Sequence, residues 1–306
     1  MKLNSTLANN IKGNILLNKM LADYTSWRIG GPAKRYYRPK DIQDLSNFLQ
    51  IIPEEEPLFW LGLGSNILIR DSGFPGTVIH TLHMSSTLRV IGKTIQDGIV
   101  IRAEAGTTCS RIAHFCAKNQ LLGGEFLVGI PGTFGGALAM NAGSYGEETW
   151  RYVIAVETMN RHGEQFLRHP NEFHVGYREV IIPQDEWFIA GHLCFLSENN
   201  LLPREKICEV LKKRILSQPI GTLNCGSVFR NPPGKYAAEL IEASQLKGKI
   251  IGKASISNKH TNFIINEGGA LAKDVESLID LIQEQIWKDH HVELVPEVHR
   301  IGVRKA

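Results

Sequence analysis

The sequence predicts an α+β fold of two or three domains, and three observations carry that reading. Stretches with helical spacing alternate with short apolar runs of strand length. Glycine-rich turns break those runs at 62–66 and again at 129–136. The chain has 306 residues, more than one ordinary hydrophobic core fills.

The elements follow in order. Asp41 to Ile52 places Ile42, Leu45, Phe48, Leu49 and Ile52 at helical spacing, and Pro53 stops it. Leu58–Leu61 and Ile67–Ile69 read as short strands around the first glycine turn, and Ile99–Ala103 alternates like a third. Thr107 or Thr108 caps a helix that runs through Lys118, with Ile112, Phe115 and Cys116 inward. Leu121–Phe126 carries a Gly123-Gly124 turn. Val153–Met159 and Phe188–Leu196 read as strands, separated by an irregular stretch holding Tyr177-Arg178. Tyr36 and Tyr37 are expected to pack on a strand, and His80 and His83 to be structural.

The polar run Ser197–Asn200 is a candidate linker. Pro203 then opens a helix to about Ser217, with Ile207, Val210, Leu211 and Ile215 on one face. Helix Ala237–Ala243, strand Phe263–Ile265, helix Lys273–Lys288 and strand Glu297–Ile301 complete the chain. The last helix, with Val275, Leu278, Ile279, Ile282 and Ile286 at a 3.6 period, is a core-packing helix.

Bulk properties exclude several classes. The net charge of +3 gives no reason to expect a nucleic-acid groove. Cysteines 109, 116, 194, 208 and 225 are dispersed without a Cys-x-x-Cys pair, which argues for reduced thiols rather than a disulfide framework or a metal site. Cys109 and Cys116 suit small buried apolar roles on one helix face. Leu3 to Leu21 is broken by asparagines, lysines and a glycine, so no signal peptide is expected. No run approaches the ~20 apolar residues of a membrane span. A cytoplasmic protein is the expectation.

Glycine stands at 129, 132, 135, 136, 143 and 146, in a segment that also carries Ile130, Phe134, Leu138 and Met140. Fixing glycine costs backbone entropy, so such a cluster serves positive φ or close approach to a ligand. Rows of bare N–H groups in such turns receive anions such as pyrophosphate. A plain surface loop is the bland reading, but the apolar residues are costly to leave wet. No Gly-x-x-x-x-Gly-Lys-Ser/Thr string exists. Gly62-Leu63-Gly64-Ser65-Asn66-Ile67 lacks the third glycine of the dinucleotide fingerprint, and a strand follows it. Two such turns suit a large ligand with a diphosphate.

The string from Gly129 to Gly146 resembles the signature of the UDP-N-acetylenolpyruvoylglucosamine reductase (MurB) family. Further motifs follow in that family's order over about residues 22–304. They are Trp27 to Ala33, Leu63 to Leu68, Tyr177-Arg178, Gly226 to Pro232, Lys259-His260 before Phe263 to Asn266, and Pro296-Glu297-Val298 before Ile301-Gly302. The resemblance implies a PCMH-type (vanillyl-alcohol-oxidase-like) FAD-binding fold over about 27–195 and a C-terminal α+β substrate-binding domain. The expected boundaries are 1–80 and 81–198 for two FAD-binding subdomains and 199–306 for the last domain.

The implied activity is NADPH-dependent reduction of UDP-N-acetylglucosamine enolpyruvate to UDP-N-acetylmuramate. That step belongs to the cytoplasmic stage of peptidoglycan synthesis, on which cell shape and division depend. The implied cofactor is noncovalent FAD with NADPH as reductant, and a monomer is expected. About thirty residues between Ser197 and Ser227 leave little room for an additional split βαββ element, so the chain resembles the shorter, type II members. Other readings are a flavin oxidoreductase of the same fold acting on an alcohol or lactone, and a UDP-sugar sensor without activity.

By similarity Ser227 is the proton donor, and Arg178 and Glu297 complete the catalytic set. A guanidinium grips a carboxylate with two parallel bonds. A glutamate held near substrate charge gains a raised pKa and donates to a developing enolate. Taken alone, Ser227 reads equally as a turn serine bonded to local backbone, and Arg178 and Glu297 as surface charges. The FAD contacts implied are Arg28, Gly62, Gly64, Ser65, Asn66, Ile67, Gly129, Ile130, Pro131, Gly132, Gly135, Gly136, Asn141, Ala142 and Gly143. The substrate contacts implied are Tyr145, Tyr177, Arg230, Asn231, Lys259 and His260, although His260 is also readable as structural. The family usually has serine two places after the arginine, where this chain has Val180.

Overall fold

The computed structural model describes residues 11–82, 84, 87–95, 97–197 and 203–304. His83 and residues 198–200 of the expected linker lie outside them.

Strands β1 (Asn14–Met20) and β2 (Pro32–Arg38) precede helix α1 (Ile42–Leu49). The Asp41 carboxylate accepts from the N–H of Asp44 at 2.8 Å, a cap that contributes ~1 kcal/mol. Strands β3 (Leu58–Leu61) and β4 (Ile67–Ile69) flank the first glycine turn, and β5 (Phe74–His80) follows. Next come β6 (Leu88–Lys93), β7 (Ile99–Glu104) and α2 (Cys109–Lys118). Thr108, not Thr107, caps α2, its hydroxyl accepting from the N–H of Arg111. Cys109 and Cys116 are buried along α2, and burial pushes both thiols up to about 12.

After β8 (Leu121–Leu122) the main glycine loop enters α3 (Phe134–Ala139), then the short pair β9 (Gly143–Ser144) and β10 (Glu147–Glu148). Strand β11 (Val153–Asn160) is followed by β12 (Gln165–Arg168), β13 (His174–Gly176), β14 (Glu179–Ile181) and β15 (Glu186–Ser197). The stretch expected to be irregular therefore holds three short strands, each of three or four residues and too short to show a period. Helices α4 (Pro203–Ser217) and α5 (Ala237–Ala243), strands β16 (Ile250–Ile251), β17 (Ala254–Ile256) and β18 (Ile264–Asn266), helix α6 (Ala272–His290) and strand β19 (His299–Ile301) close the order. Ile215, expected on the apolar face of α4, is 57% exposed, because it lies in that helix's last turn. The last strand is also shorter than expected, with Glu297 just ahead of it.

The described residues fall into two compact units built from discontinuous stretches. The first comprises residues up to 16, 36–62 and 78–213, and the second 17–35, 63–77 and 214–306. Segments 17–35 and 63–77 thus group with C-terminal residues. A sheet of order β1-β2-β5-β3 has this division falling within three of its strands.

The first unit is built on an antiparallel sheet of order β12-β11-β15-β7-β6, with β8 beside β15. Ile112 of α2 and Phe134 and Leu138 of α3 pack with Ile101, Leu193 and Phe195 of this sheet. Arg102, Glu157 and His192 form a charged cluster on the same sheet. Arg102 donates to both Glu157 oxygens at 2.7 and 2.6 Å, and His192 Nε2 lies 2.8 Å from Oε1. In a second core, Tyr37 and Phe48 stack at 3.8 Å among Leu45, Ile79, Met159 and Ile189.

The second unit holds α5 and α6, the sheet β16-β17-β18 and the parallel pair β4–β19. Val275, Leu278, Ile279, Ile282 and Ile286 of α6 are buried with Trp27, Leu68, Val228 and Phe229. Asp71 accepts from the N–H groups of Ala272 and Lys273, placing an acid where the α6 dipole favours it.

Candidate active site

In the first unit Gly62, the first residue of one glycine turn, meets Thr133 of the other glycine-rich segment. A Cβ at Gly62 would stand 2.2 Å from Thr133 Oγ1, so only glycine allows this approach. The His80 ring holds the Gly62 end: Nδ1 lies 2.6 Å from the Tyr36 hydroxyl and Nε2 3.1 Å from the Gly62 carbonyl. Gly129 and Gly135 likewise face Ser144 and Ala105 rather than open space. Gly136 differs, since its nearest neighbour to a Cβ is Thr133 Oγ1 at 3.7 Å. That leaves room in the first turn of α3, next to Ile130, Pro131 and Gly132.

Arg178 occupies the turn between β13 and β14 with φ +57. Its guanidinium donates to the carbonyls of Gly143 at 2.8 Å and Asn141 at 3.3 Å, and lies 5.2 Å from the centre of the Tyr177 ring. It therefore ties the segment 141–143 in place. Asn141 is 2% exposed, and its side chain is spent inside the protein. It donates to Glu148 and the Gly176 carbonyl and accepts from the N–H of Trp150. Ala142 closes the same turn: its carbonyl accepts from the N–H and the hydroxyl of Thr149. The Tyr145 hydroxyl donates to the Val210 carbonyl of α4 at 3.0 Å, and its side chain is partly exposed, as is that of Tyr177.

In the second unit, Ser227 follows Gly226, which has φ +84 and open space where a Cβ would stand. The local bonds expected of a turn serine are made by Asn224 instead: its side chain accepts from Gly226 N–H and donates to Thr222 and Pro219. Among the described residues of this unit, none hydrogen-bonds the Ser227 hydroxyl. Residues 228–230 run antiparallel to 295–297, with Glu297 N–H donating to the Val228 carbonyl at 2.7 Å and Arg230 N–H to the Val295 carbonyl at 3.0 Å. The first glycine turn joins this arrangement. Asn66 donates from its amide to the Glu297 carbonyl at 3.1 Å and accepts at its own carbonyl from His299 N–H. Ile67 pairs with His299 in the parallel ladder. Gly64, with φ +67, leaves no room for a Cβ, which would stand 2.1 Å from the Tyr24 carbonyl. Ser65 is half-buried beside it.

Cys225 is buried, and burial together with the charge of Glu297 raises its thiol well above the usual value, so it is inert. Asn231 accepts from the N–H of Ala237 and so caps α5. Lys259 Nζ donates to the Ile215 carbonyl at 2.5 Å. His260 packs edge-on against Phe263 at 4.7 Å, and its Nδ1 is buried with no hydrogen-bond partner among the described residues. Burial pushes its pKa below the usual histidine value, so the ring is neutral near pH 7. Arg28 is exposed, and its guanidinium donates to the Asp23 carbonyl. The structure thus brings Ser227, Asn66, Arg230 and Glu297 together in one unit, and Gly62, the 129–143 segment and Arg178 in the other. Asn262, which holds the Ser227 segment from its other side, is unmarked in the sequence because its partners lie 33 residues away.

Among the described residues no cluster of three or more His, Cys, Asp or Glu suits a metal, and no helix is long and apolar enough to cross a membrane. Residues 218–301 match the C-terminal domain model of UDP-N-acetylenolpyruvoylglucosamine reductase, and residues 33–166 match an FAD binding domain model. The chain is 51% identical to the UDP-N-acetylenolpyruvoylglucosamine reductase of Coxiella burnetii (strain Dugway 5J108-111), over 95% of this chain and 97% of that one. The enzyme of Legionella pneumophila (strain Lens) is 51% identical over 95% and 93%. The crystal structure of MurB from Thermus caldophilus superposes with a TM-score of 0.80 at 31% identity, covering 95% of this chain and 99% of that one. The fold is the expected α+β one with a PCMH-type FAD-binding part. These likenesses run through both units and nearly the whole length, and the chain belongs to the UDP-N-acetylenolpyruvoylglucosamine reductase family.

Proposed function

We propose that the protein reduces the enolpyruvyl ether of UDP-N-acetylglucosamine enolpyruvate to UDP-N-acetylmuramate, with NADPH as the reductant and noncovalent FAD as the cofactor. The reaction adds hydride to one alkene carbon while negative charge builds at the carbon beside the carboxylate. No side chain stores hydride; bound FAD supplies that capacity. The open side of Gly136 at the start of α3, beside the junction of Gly62 and Thr133, fits a group carrying a diphosphate. Gly62, Gly64, Ser65, Asn66, Ile67, Gly129 to Gly132, Gly135, Gly136 and Asn141 to Gly143, with Arg28, would hold it.

Ser227 donates the proton to the carbon that carries the charge. The observation that supports this is a half-buried hydroxyl that no described residue hydrogen-bonds, next to a segment pinned on both sides. Arg178 stabilises the substrate carboxylate, and Glu297, in its protonated form, donates a hydrogen bond to the developing enolate while Ser227 gives the one proton that is transferred. Arg230, Asn231, Lys259, His260, Tyr145 and Tyr177 bind the sugar nucleotide. Residues 27–195 form the FAD-binding region, and 199–306 carry the substrate. The setting is cytoplasmic and the working form a monomer.

The test is direct. Purified protein is expected to show a flavin spectrum and to consume NADPH beyond one equivalent per flavin only when the enolpyruvyl sugar nucleotide is added. Flavin without substrate-dependent NADPH loss would sink the reading.

A further inference from the structure

The backbone around Ser227 is held by an unusual partner. Asn262 is 3% exposed and sits between His260 and Phe263 in the turn before β18. Its side-chain oxygen accepts from the N–H of Phe229 at 2.9 Å, and its side-chain NH2 donates to the Phe229 carbonyl at 2.9 Å. Its own carbonyl accepts from the N–H of Val228, also at 2.9 Å. One residue therefore satisfies Val228 N–H and both backbone groups of Phe229, as a neighbouring strand would. The opposite edge of the same segment is paired with 295–297 through Val228 O and Arg230 N. The segment 228–230 is thus bonded to Asn262 on one edge and to 295–297 on the other, although it belongs to no regular sheet beyond an isolated bridge between Phe229 and Pro296.

We propose that Asn262 is a positioning residue for the half-reaction in which the substrate is reduced: its carboxamide stands in for a missing strand and fixes the Ser227–Val228–Phe229 backbone. The inference rests on the reading of Ser227 as proton donor. A hydroxyl is a poor acid, so its contribution depends on being held at the reacting carbon, and a shift of 1 Å costs about a hundredfold. On the N-terminal side Gly226 has positive φ and open space where a Cβ would stand, and its N–H is held by the side chain of Asn224; Asn262 adds the restraint on the C-terminal side. The carboxamide shape is required: both a donor and an acceptor must face one residue's backbone, and a carboxylate or an alkyl group offers at most one of them.

The experiment compares Asn262→Asp, Asn262→Ala and Ser227→Ala as flavin-loaded enzymes, with the two half-reactions followed separately. Amide hydrogen exchange of Val228 and Phe229 is read on the same proteins. The Asn262 variants are expected to keep flavin reduction by NADPH within about twofold while transfer to the substrate slows about 10- to 100-fold. Faster exchange at Val228 and Phe229, with α6 unchanged, is the expected companion. If Ser227→Ala leaves transfer to the substrate untouched, the Ser227 reading itself fails. If Ser227→Ala blocks transfer while the Asn262 variants proceed at the wild-type rate, the positioning role fails alone. Equal slowing of both half-reactions also overturns it, because that is what general loss of structure does. Should the Asn262 variants not fold, exchange in the wild-type protein decides: a Phe229 amide no better protected than those of 221–224 overturns the clamp.

Discussion

The N–H of Glu297 donates to the carbonyl of Val228 at 2.7 Å, so the backbones of Ser227 and Glu297 are one residue out of register across a short antiparallel contact. Two residues 70 positions apart in sequence are thereby set by a single pairing. Asn66 adds a third segment by donating to the Glu297 carbonyl. This junction of three loops is where the proposed proton donor sits.

Ser227→Ala is expected to leave reduction of the flavin by NADPH intact and to slow the following transfer to the enolpyruvyl group by about 10²–10⁴-fold, the usual worth of a positioned acid. Single-turnover absorbance of the flavin separates the two steps. If both slow equally, the proton-donor assignment is wrong.

Arg178→Lys keeps the charge but loses the planar fork. In this structure the fork is also what reaches two carbonyls, those of Asn141 and Gly143. The variant should therefore lose turnover by at least about tenfold and also bind flavin more weakly, since segment 141–143 is loosened. Steady-state kinetics and a flavin titration check the pair of effects. Normal flavin affinity with reduced turnover would mean that the two carbonyl bonds do not hold the loop.

Much of this was legible from residue patterns. The period of Ile112 and Cys116 behind a threonine cap in α2, the Pro203 start of α4 and the apolar stripe of α6 are each local patterns, and the structure has those helices there. Strands β1 and β5 were not legible: Asn14, Asn18 and Lys19 in one, and Pro75 and Gly76 in the other, are poor strand formers whose pairing is decided by neighbours. The glycine loop was legible as a special backbone, but the reason for Gly129 and Gly135 was not. They make way for Ser144 and Ala105, contacts that only tertiary structure supplies. Asn262 carried no signal, because an asparagine that pairs with a distant backbone looks like any loop asparagine.

Gly64→Ala tests the first turn. The residue has φ +67, and an added Cβ would stand 2.1 Å from the Tyr24 carbonyl, a backbone atom that cannot swing aside. Strain at such φ with a backbone clash is expected to cost on the order of 3 kcal/mol. Denaturant unfolding measures it. Gly146→Ala is the comparison, since its φ of +86 carries strain but nothing lies within 4 Å. Equal losses at the two sites would show that the Tyr24 approach does not matter.

The Glu157 carboxylate gives a pH prediction. Burial works to raise its pKa, but hydrogen bonds from Arg102 and His192 outweigh it and hold the group at about 2, below its ordinary 4.5. A carboxylate with a depressed folded-state pKa binds fewer protons when folded. Its stabilisation is therefore complete above pH 4.5 and is lost as pH falls through about 2. Glu157→Gln removes the charge while keeping the shape, and leaves Arg102 with Glu104 at 3.2 Å as its remaining acidic partner. The variant should be less stable at neutral pH by on the order of 2–3 kcal/mol, and the gap should close as the buffer is acidified through that window. Unfolding measured at a series of pH values reads both. A gap that stays constant down to pH 2 would show that the loss comes from packing and not from the ion pair.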